Sequence, residues 1–155
     1  MTNLKIQKTM KAFIKPLFIL AILGLAFSKS FGQDINQVVK VTNLKKVKGT
    51  LYIGWYNKSA DFPVNDRAIF REEIEVSDLS EVTVQFDNIP AGKYAIAIFL
   101  DENDNYKLDR NLFGIPKEKY GFSNNVLPAL RAATFEESVF SLTDDKRSTI
   151  VINLK

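Results

Sequence analysis

The densest set of oxygen donors in the chain is Asp101-Glu102-Asn103-Asp104-Asn105-Tyr106-Lys107-Leu108-Asp109, directly after the apolar run Tyr94 to Leu100. Asp or Asn at alternate positions lets one tight loop aim several oxygens at a hard cation such as Ca²⁺. In the D-x-[DN]-x-[DN]-G loop, side-chain oxygens come from the first, third and fifth positions and a backbone carbonyl from the seventh, while the ninth often acts through water. Here those positions are Asp101, Asn103, Asn105, Lys107 and Asp109, which form the candidate metal set with Ca²⁺ as the ion. The sixth position, usually Gly for the sharp turn, is Tyr106, a residue that resists positive φ. The twelfth, usually a bidentate Glu, is Leu112, leaving Glu118 or Glu102 as substitutes from outside the run. The competing reading is a loop in which Asp and Asn side chains cap their own backbone as Asx-turns.

Little else in the chain reads as chemistry. It has no cysteine and no histidine. That removes disulfides, a lipidated N-terminal Cys, thiolate and imidazole metal sites, and the Ser-His and Cys-His nucleophile pairs. Ser123 lies outside any nucleophile elbow. A hydrolase acting on an envelope glycan through two carboxylates needs them about 5–10 Å apart across an open cleft, and Asp101 or Asp109 with Glu118 is the pair available. Glu136 and Glu137, as neighbours on a strand, would face opposite ways. Trp55, Tyr56, Phe113, Tyr120 and Phe122 are candidates for a ligand cleft beside the loop, although aromatics in a β domain more often belong to the core.

The elements that would position this loop are short, β-branched and aromatic segments separated by polar punctuation. Val38 to Val41 reads as a first strand and Gly49 to Tyr56 (GTLYIGWY) as a second, with Lys45, Lys46 and Lys48 as a solvated hairpin turn between them. Ala68 to Val76 carries enough charge to be an edge strand. Glu81 to Phe86 alternates cleanly and ends in the turn Asp87 to Gly92. Lys93 to Leu100 (KYAIAIFL) is nearly continuous apolar, as a central strand covered on both faces would be. Residues 101–132 read as one long irregular stretch, and Ala129 to Glu137 has room for a single helical turn. Phe135 to Leu142 and Ser148 to Leu154 read as two closing strands joined by Thr143 to Lys146. The expectation is an all-β fold, a single antiparallel β-sandwich of about seven strands, Ig-like or transthyretin-like, with one long irregular loop.

Residues 1–32 stand apart. Lys5, Lys8, Lys11 and Lys15 precede the unbroken apolar run Leu17 to Phe27, with Ser30 and Gly32 placed for cleavage, which is the pattern of a secretory signal peptide. The run is about eleven residues, short of the roughly 20 that span a bilayer. The expected organisation is a signal peptide at 1–32 and a β-sandwich at 33–155, secreted or held in the periplasm or cell envelope. Five of the 21 basic residues and none of the 18 acidic ones lie in the leader, so the rest of the chain has 16 basic against 18 acidic residues. The net charge of +3 is therefore no signal for nucleic acid. The partner expected is an unidentified envelope protein or glycan, reached through the loop or by edge-strand pairing. A membrane would be met only through the leader.

The run Phe86-Asp87-Asn88-Ile89-Pro90-Ala91-Gly92-Lys93-Tyr94-Ala95-Ile96-Ala97-Ile98-Phe99, continuing into Asp101 to Asp109, then Gly114-Ile115-Pro116-Lys117-Glu118 and Tyr120 to Asn125, resembles the secreted bacterial family known as domain of unknown function 2141. The family usually shows D-x-N-x-N-G-x-L-D, from which Tyr106 and Asp104 depart. The F-x-N-I-P-x-G-x-Y portion is also similar to transthyretin-like and carboxypeptidase-regulatory-like sandwich modules. The resemblance implies a β-sandwich and carries no established activity. The function expected is an exported, non-enzymatic binding or structural module with a Ca²⁺ loop; the alternative is a carboxylate-based hydrolase of envelope glycans.

Overall fold

The computed structural model describes residues 35–45, 47–129, 131–143 and 149–155. The leader expected at 1–32 and the Asp144 to Lys146 part of the last turn lie outside the described residues. Eight strands follow in chain order: β1 (Ile35–Thr42), β2 (Lys48–Tyr56), β3 (Phe70–Ser77), β4 (Glu81–Ile89), β5 (Gly92–Asp101), β6 (Tyr120–Phe122), β7 (Phe140–Leu142) and β8 (Thr149–Asn153). They form a three-stranded sheet, β4-β1-β8, and a five-stranded sheet, β3-β2-β5-β6, with β7 also pairing β5. The all-β sandwich is therefore as expected. The described residues hold eight strands against the expected seven or so, and β1 runs parallel to β8 rather than antiparallel.

One cluster of buried side chains joins the sheets. Val39, Val41, Phe86 and Ile152 from the small sheet meet Leu51, Ile53, Trp55, Ile96, Ile98 and Leu100 from the large one. Trp55 sits at its centre, its ring 5.2 Å from Phe86, 5.7 Å from Tyr94 and 5.5 Å from Phe140. The alternation of Leu51, Ile53 and Trp55 on β2 is what drives that face inward.

The lysine segment between β1 and β2 is not a hairpin turn. β1 pairs β4 and β8, whereas β2 pairs β3 and β5. The segment instead carries the chain from one sheet to the other, held where Leu44 N–H donates to Ser80 O and Asp78 N–H donates to Val47 O. Leu44 and Val47 are buried at this corner, and their apolar side chains are what turn it inward. β3 is an edge strand, as its charges indicate.

β5 buries one face fully and the other in part. Tyr94, Ile96, Ile98 and Leu100 join the inter-sheet core. The opposite face meets a second aromatic layer in which Phe62 packs 5.3 Å from Tyr56, 5.7 Å from Phe122 and 6.1 Å from Phe135. The stretch read as irregular contains β6, paired with β5 at Ala97–Phe99. The strand expected over Phe135 to Leu142 is extended only at Phe140–Leu142, as β7, and begins instead as the single helical turn for which Ala129 to Glu137 has room, α1 (Phe135–Ser138). Thr134 accepts from Glu137 N–H and Glu137 reaches back to Thr134 N–H, a capping box that outcompetes the extended form.

Candidate functional site

Asp101 ends β5 fully buried, where the sheet hands the chain to the loop. Its Oδ1 accepts the backbone N–H groups of Asn103 and Asn105, both at 3.2 Å, and its Oδ2 accepts that of Tyr106 at 2.6 Å. A buried carboxylate needs such donors, and the alternating Asp/Asn spacing supplies them by curling the chain back on itself. The approach requires Gly49 across the ladder. A Cβ there would stand 2.1 Å from Asp101 O, at a φ of +140°.

A second carboxylate closes the other side. Glu118, buried to 7 % exposure, accepts Glu102 N–H at 2.9 Å with Oε1 and Asp109 N–H at 2.7 Å with Oε2. Asp109 in turn accepts the side-chain amides of Asn103 at 2.9 Å and Asn105 at 3.0 Å. Asn105 Oδ1 accepts Lys107 N–H at 2.9 Å. Tyr106 adopts the positive φ that its side chain disfavours, +64°. The bond from its N–H to Asp101 and the edge-on contact of its ring with Tyr52, at 6.4 Å, hold it there.

Whether the five residues expected to hold Ca²⁺ fit the ion turns on where their oxygens point. Asp101, Asn103, Asn105, Lys107 and Asp109 share one loop, but the side chains converge on two centres. Asp101 gathers backbone N–H groups, while Asp109 gathers amide nitrogens. Lys107 contributes its N–H to Asn105. Among the described residues no three carboxylates lie together as a metal cluster. Half a turn of both Asn side-chain amides would put their oxygens against the Asp109 carboxylate, an arrangement that needs a cation between them.

Beyond Asp109 the chain makes a tight hairpin, with Arg110 bridged to Pro116. Asn111 organises it. Its Oδ1 accepts Phe113 N–H and Ile115 N–H, at 2.9 and 3.0 Å, and its backbone bonds to Ile115 and Gly114. Gly114 takes the φ of +77° that this turn requires.

Between this hairpin and the outer face of β5 and β6 lies a cleft of about 960 Å³. Ala97, Phe99, Tyr120 and Phe122 form its floor; Leu108, Phe113 and Ile115 form one wall. Six basic side chains line it, namely Lys107, Arg110, Lys117, Lys119, Arg131 and Lys155, against only two carboxylates, Glu102 and Glu118. Even with Arg131 paired to Glu137, the cations outnumber the carboxylates, so the field of the cleft is positive. Arg131 is fixed by a two-bond pairing with Glu137, each bond 2.7 Å. That guanidinium, with Thr134 N–H, holds the Glu137 carboxyl down to about 2.

Of the aromatics considered for a cleft, Trp55 and Tyr56 are core, whereas Phe113, Tyr120 and Phe122 line the cleft. Ser123 is structural: its hydroxyl accepts Ile96 N–H at 2.9 Å and donates to Ser138 O at 2.5 Å. Glu136 and Glu137 lie on α1 rather than on a strand. Sequence reasoning missed Asn111, although the Asn111-to-Gly114 spacing is a turn signal. It named Glu118 as a spare ligand and as half of a carboxylate pair, not as a latch, because the N–H groups it accepts lie 9 and 16 residues away.

The fold and site define a small β-sandwich with a carboxylate-latched loop walling a cleft on one sheet. Residues 39–150 match the family described as "Uncharacterized protein conserved in bacteria (DUF2141)". The chain belongs to that family. Neither a search of curated proteins nor a search of solved structures returned a match.

Proposed function

We propose that the protein is an exported, non-enzymatic binding module whose cleft takes a small amphiphilic anion. The observation that carries this reading is an apolar floor under a basic rim, walled by a loop that its own carboxylates hold rigid. The volume lies within the range of small-molecule sites. The ligand's apolar body would lie on Ala97, Phe99 and Phe122, and its anionic group would face Arg110, Lys117 and Lys119. Export rests on the leader-like composition of residues 1–32.

The hydrolase reading needs a pair of free carboxylates. Asp101 and Glu118 have both oxygens engaged by backbone N–H groups, and Asp109 has both engaged by Asn amides. The geometry favours latches over proton carriers.

The test is a fluorescence titration with the anionic amphiphile 8-anilinonaphthalene-1-sulfonate, followed by displacement with alkanoates of increasing length. Saturable binding is expected. Ala97→Trp should fill the floor and abolish it, and Lys119→Glu should weaken it about fivefold or more, since charge reversal at a rim is worth on the order of 1 kcal/mol. Non-saturable binding, or binding indifferent to both variants, would defeat the reading.

A further inference from the structure

The hairpin 110–116 leaves three apolar side chains largely exposed, two of them on the outer lip of the cleft wall. Leu112 is 102 % exposed, Phe113 88 % and Ile115 54 %. These are not the loose residues of a floppy loop. Asn111 accepts two backbone N–H groups through its side chain, Gly114 N–H donates to Asn111 O, and Arg110 Nη1 donates to Gly114 O at 3.2 Å. The tip is thus set before any partner arrives, which reduces the ordering that binding would require. Around it stand Lys107, Arg110, Lys117 and Lys119. Of the acids on this side, Asp109 and Glu118 are turned inward onto Asn amides and backbone N–H groups, which leaves Glu102 as the exposed carboxylate against four cations.

We infer that this hairpin is a membrane-docking finger. Leu112, Phe113 and Ile115 enter the interface of an anionic phospholipid bilayer while the surrounding lysines and arginine meet its phosphates. Size favours a bilayer over a protein. Three side chains at a narrow tip bury a few hundred Å² at most, well below the roughly 1,200 Å² of a stable protein interface. Interfacial binding to lipid needs only a small apolar wedge plus cationic side chains, each worth about fivefold in affinity near an anionic surface. In this reading the folded domain, expected from its sequence to meet a membrane only through its leader, carries a contact of its own.

The experiment is co-sedimentation of the protein, as processed by an exporting cell, with vesicles of phosphatidylglycerol and phosphatidylcholine and with vesicles of phosphatidylcholine alone. Binding is expected to the first, to fall with added salt, and to be much weaker to the second. Leu112→Asp should lower it by about tenfold or more, the worth of one buried leucine. Leu112 does not line the cleft, so this variant should keep amphiphile binding, and the two proposals fail separately. A Phe113→Trp reporter should shift its emission to the blue on the anionic vesicles. Absence of sedimentation, equal binding by the wild type and Leu112→Asp, or a reporter that stays at its aqueous emission would each overturn the inference. A protein found on the finger in place of lipid would require one of those results.

Discussion

Replacing Asp101 by Asn exchanges one carboxylate oxygen for an N–H₂ group at the buried end of β5, and the consequence can be worked from three distances. The introduced amide would keep one oxygen for Asn103 N–H and Asn105 N–H, which lie 3.2 Å from the carboxylate in the wild type and would then meet a neutral acceptor. Its nitrogen would face Tyr106 N–H, which lies 2.6 Å from Oδ2 in the wild type, so an attraction becomes a donor–donor contact. A hydrogen bond to a charged group is worth about 1.5–3 kcal/mol, and roughly half of that remains when the charge is removed. The expected loss is about 3 kcal/mol, or on the order of 10 °C in Tm for a domain of this size. If the loop instead peels away and exposes the unpaired donors to water, Tm falls less, but the amides of Asn103, Asn105 and Tyr106 lose their protection. Thermal unfolding together with amide hydrogen exchange separates the two routes. A variant with wild-type Tm and wild-type exchange at those three amides would refute the claim that Asp101 organises the loop.

Three further outcomes follow from the same geometry. Gly49→Ala places a Cβ 2.1 Å from Asp101 O at a φ of +140°, and denaturant unfolding should show a loss of about 2–4 kcal/mol from strain plus overpacking. Asn105→Asp sets a second carboxylate against Asp109 in place of an amide donor. In chelator its Tm should fall below that of the wild type and recover when Ca²⁺ is added, while the wild type stays unchanged; a wild-type rise with Ca²⁺ would show that the Asn amides do rotate onto an ion. Glu137, held down to about 2 by Arg131 and then by Thr134 N–H, stabilises the fold fully above its ordinary value of 4.5 and loses that contribution as the pH falls towards 2. Glu137→Gln should flatten the acid limb of a Tm-against-pH curve, and carboxylate NMR should place the wild-type titration near the lower value.

What the sequence made legible was local. The two-residue period of Leu51, Ile53 and Trp55 fixed a strand face, the continuous run from Tyr94 to Leu100 announced a central strand, and the charges of Ala68 to Val76 marked an edge. The Asp101 to Asp109 spacing correctly located a folded-back loop, because alternating short acceptors curl a chain whether they meet a cation or its own N–H groups. Pairing partners were not legible. Nothing in Lys45 to Lys48 says that the next strand joins a different sheet; that depends on contacts with Ser80 and Asp78 far along the chain. β6 has only three residues and no period to read. The capping box Thr134-Phe135-Glu136-Glu137 was written plainly, but the β-rich residues around it masked it.

The unusual backbone of Tyr106 connects the latch to the cleft. A tyrosine at a φ of +64° costs about 1–2 kcal/mol relative to an extended one, and a glycine would avoid that cost. The charged bond from Tyr106 N–H to Asp101 is large enough to offset it. What the tyrosine adds is its ring, which meets Tyr52 and lines the cleft while remaining 70 % exposed. Tyr52 in turn stacks on Phe99 of the floor at 4.8 Å. Strain at position 106 therefore places an aromatic edge at the mouth of the cleft. Glu118, by clamping both Glu102 and Asp109, keeps the hairpin that begins at Arg110 from swinging independently of that edge. A loop built only to connect two strands would need neither the strain nor the second clamp. Their coincidence on the cleft side is the reason for placing function there rather than at the acidic turn itself.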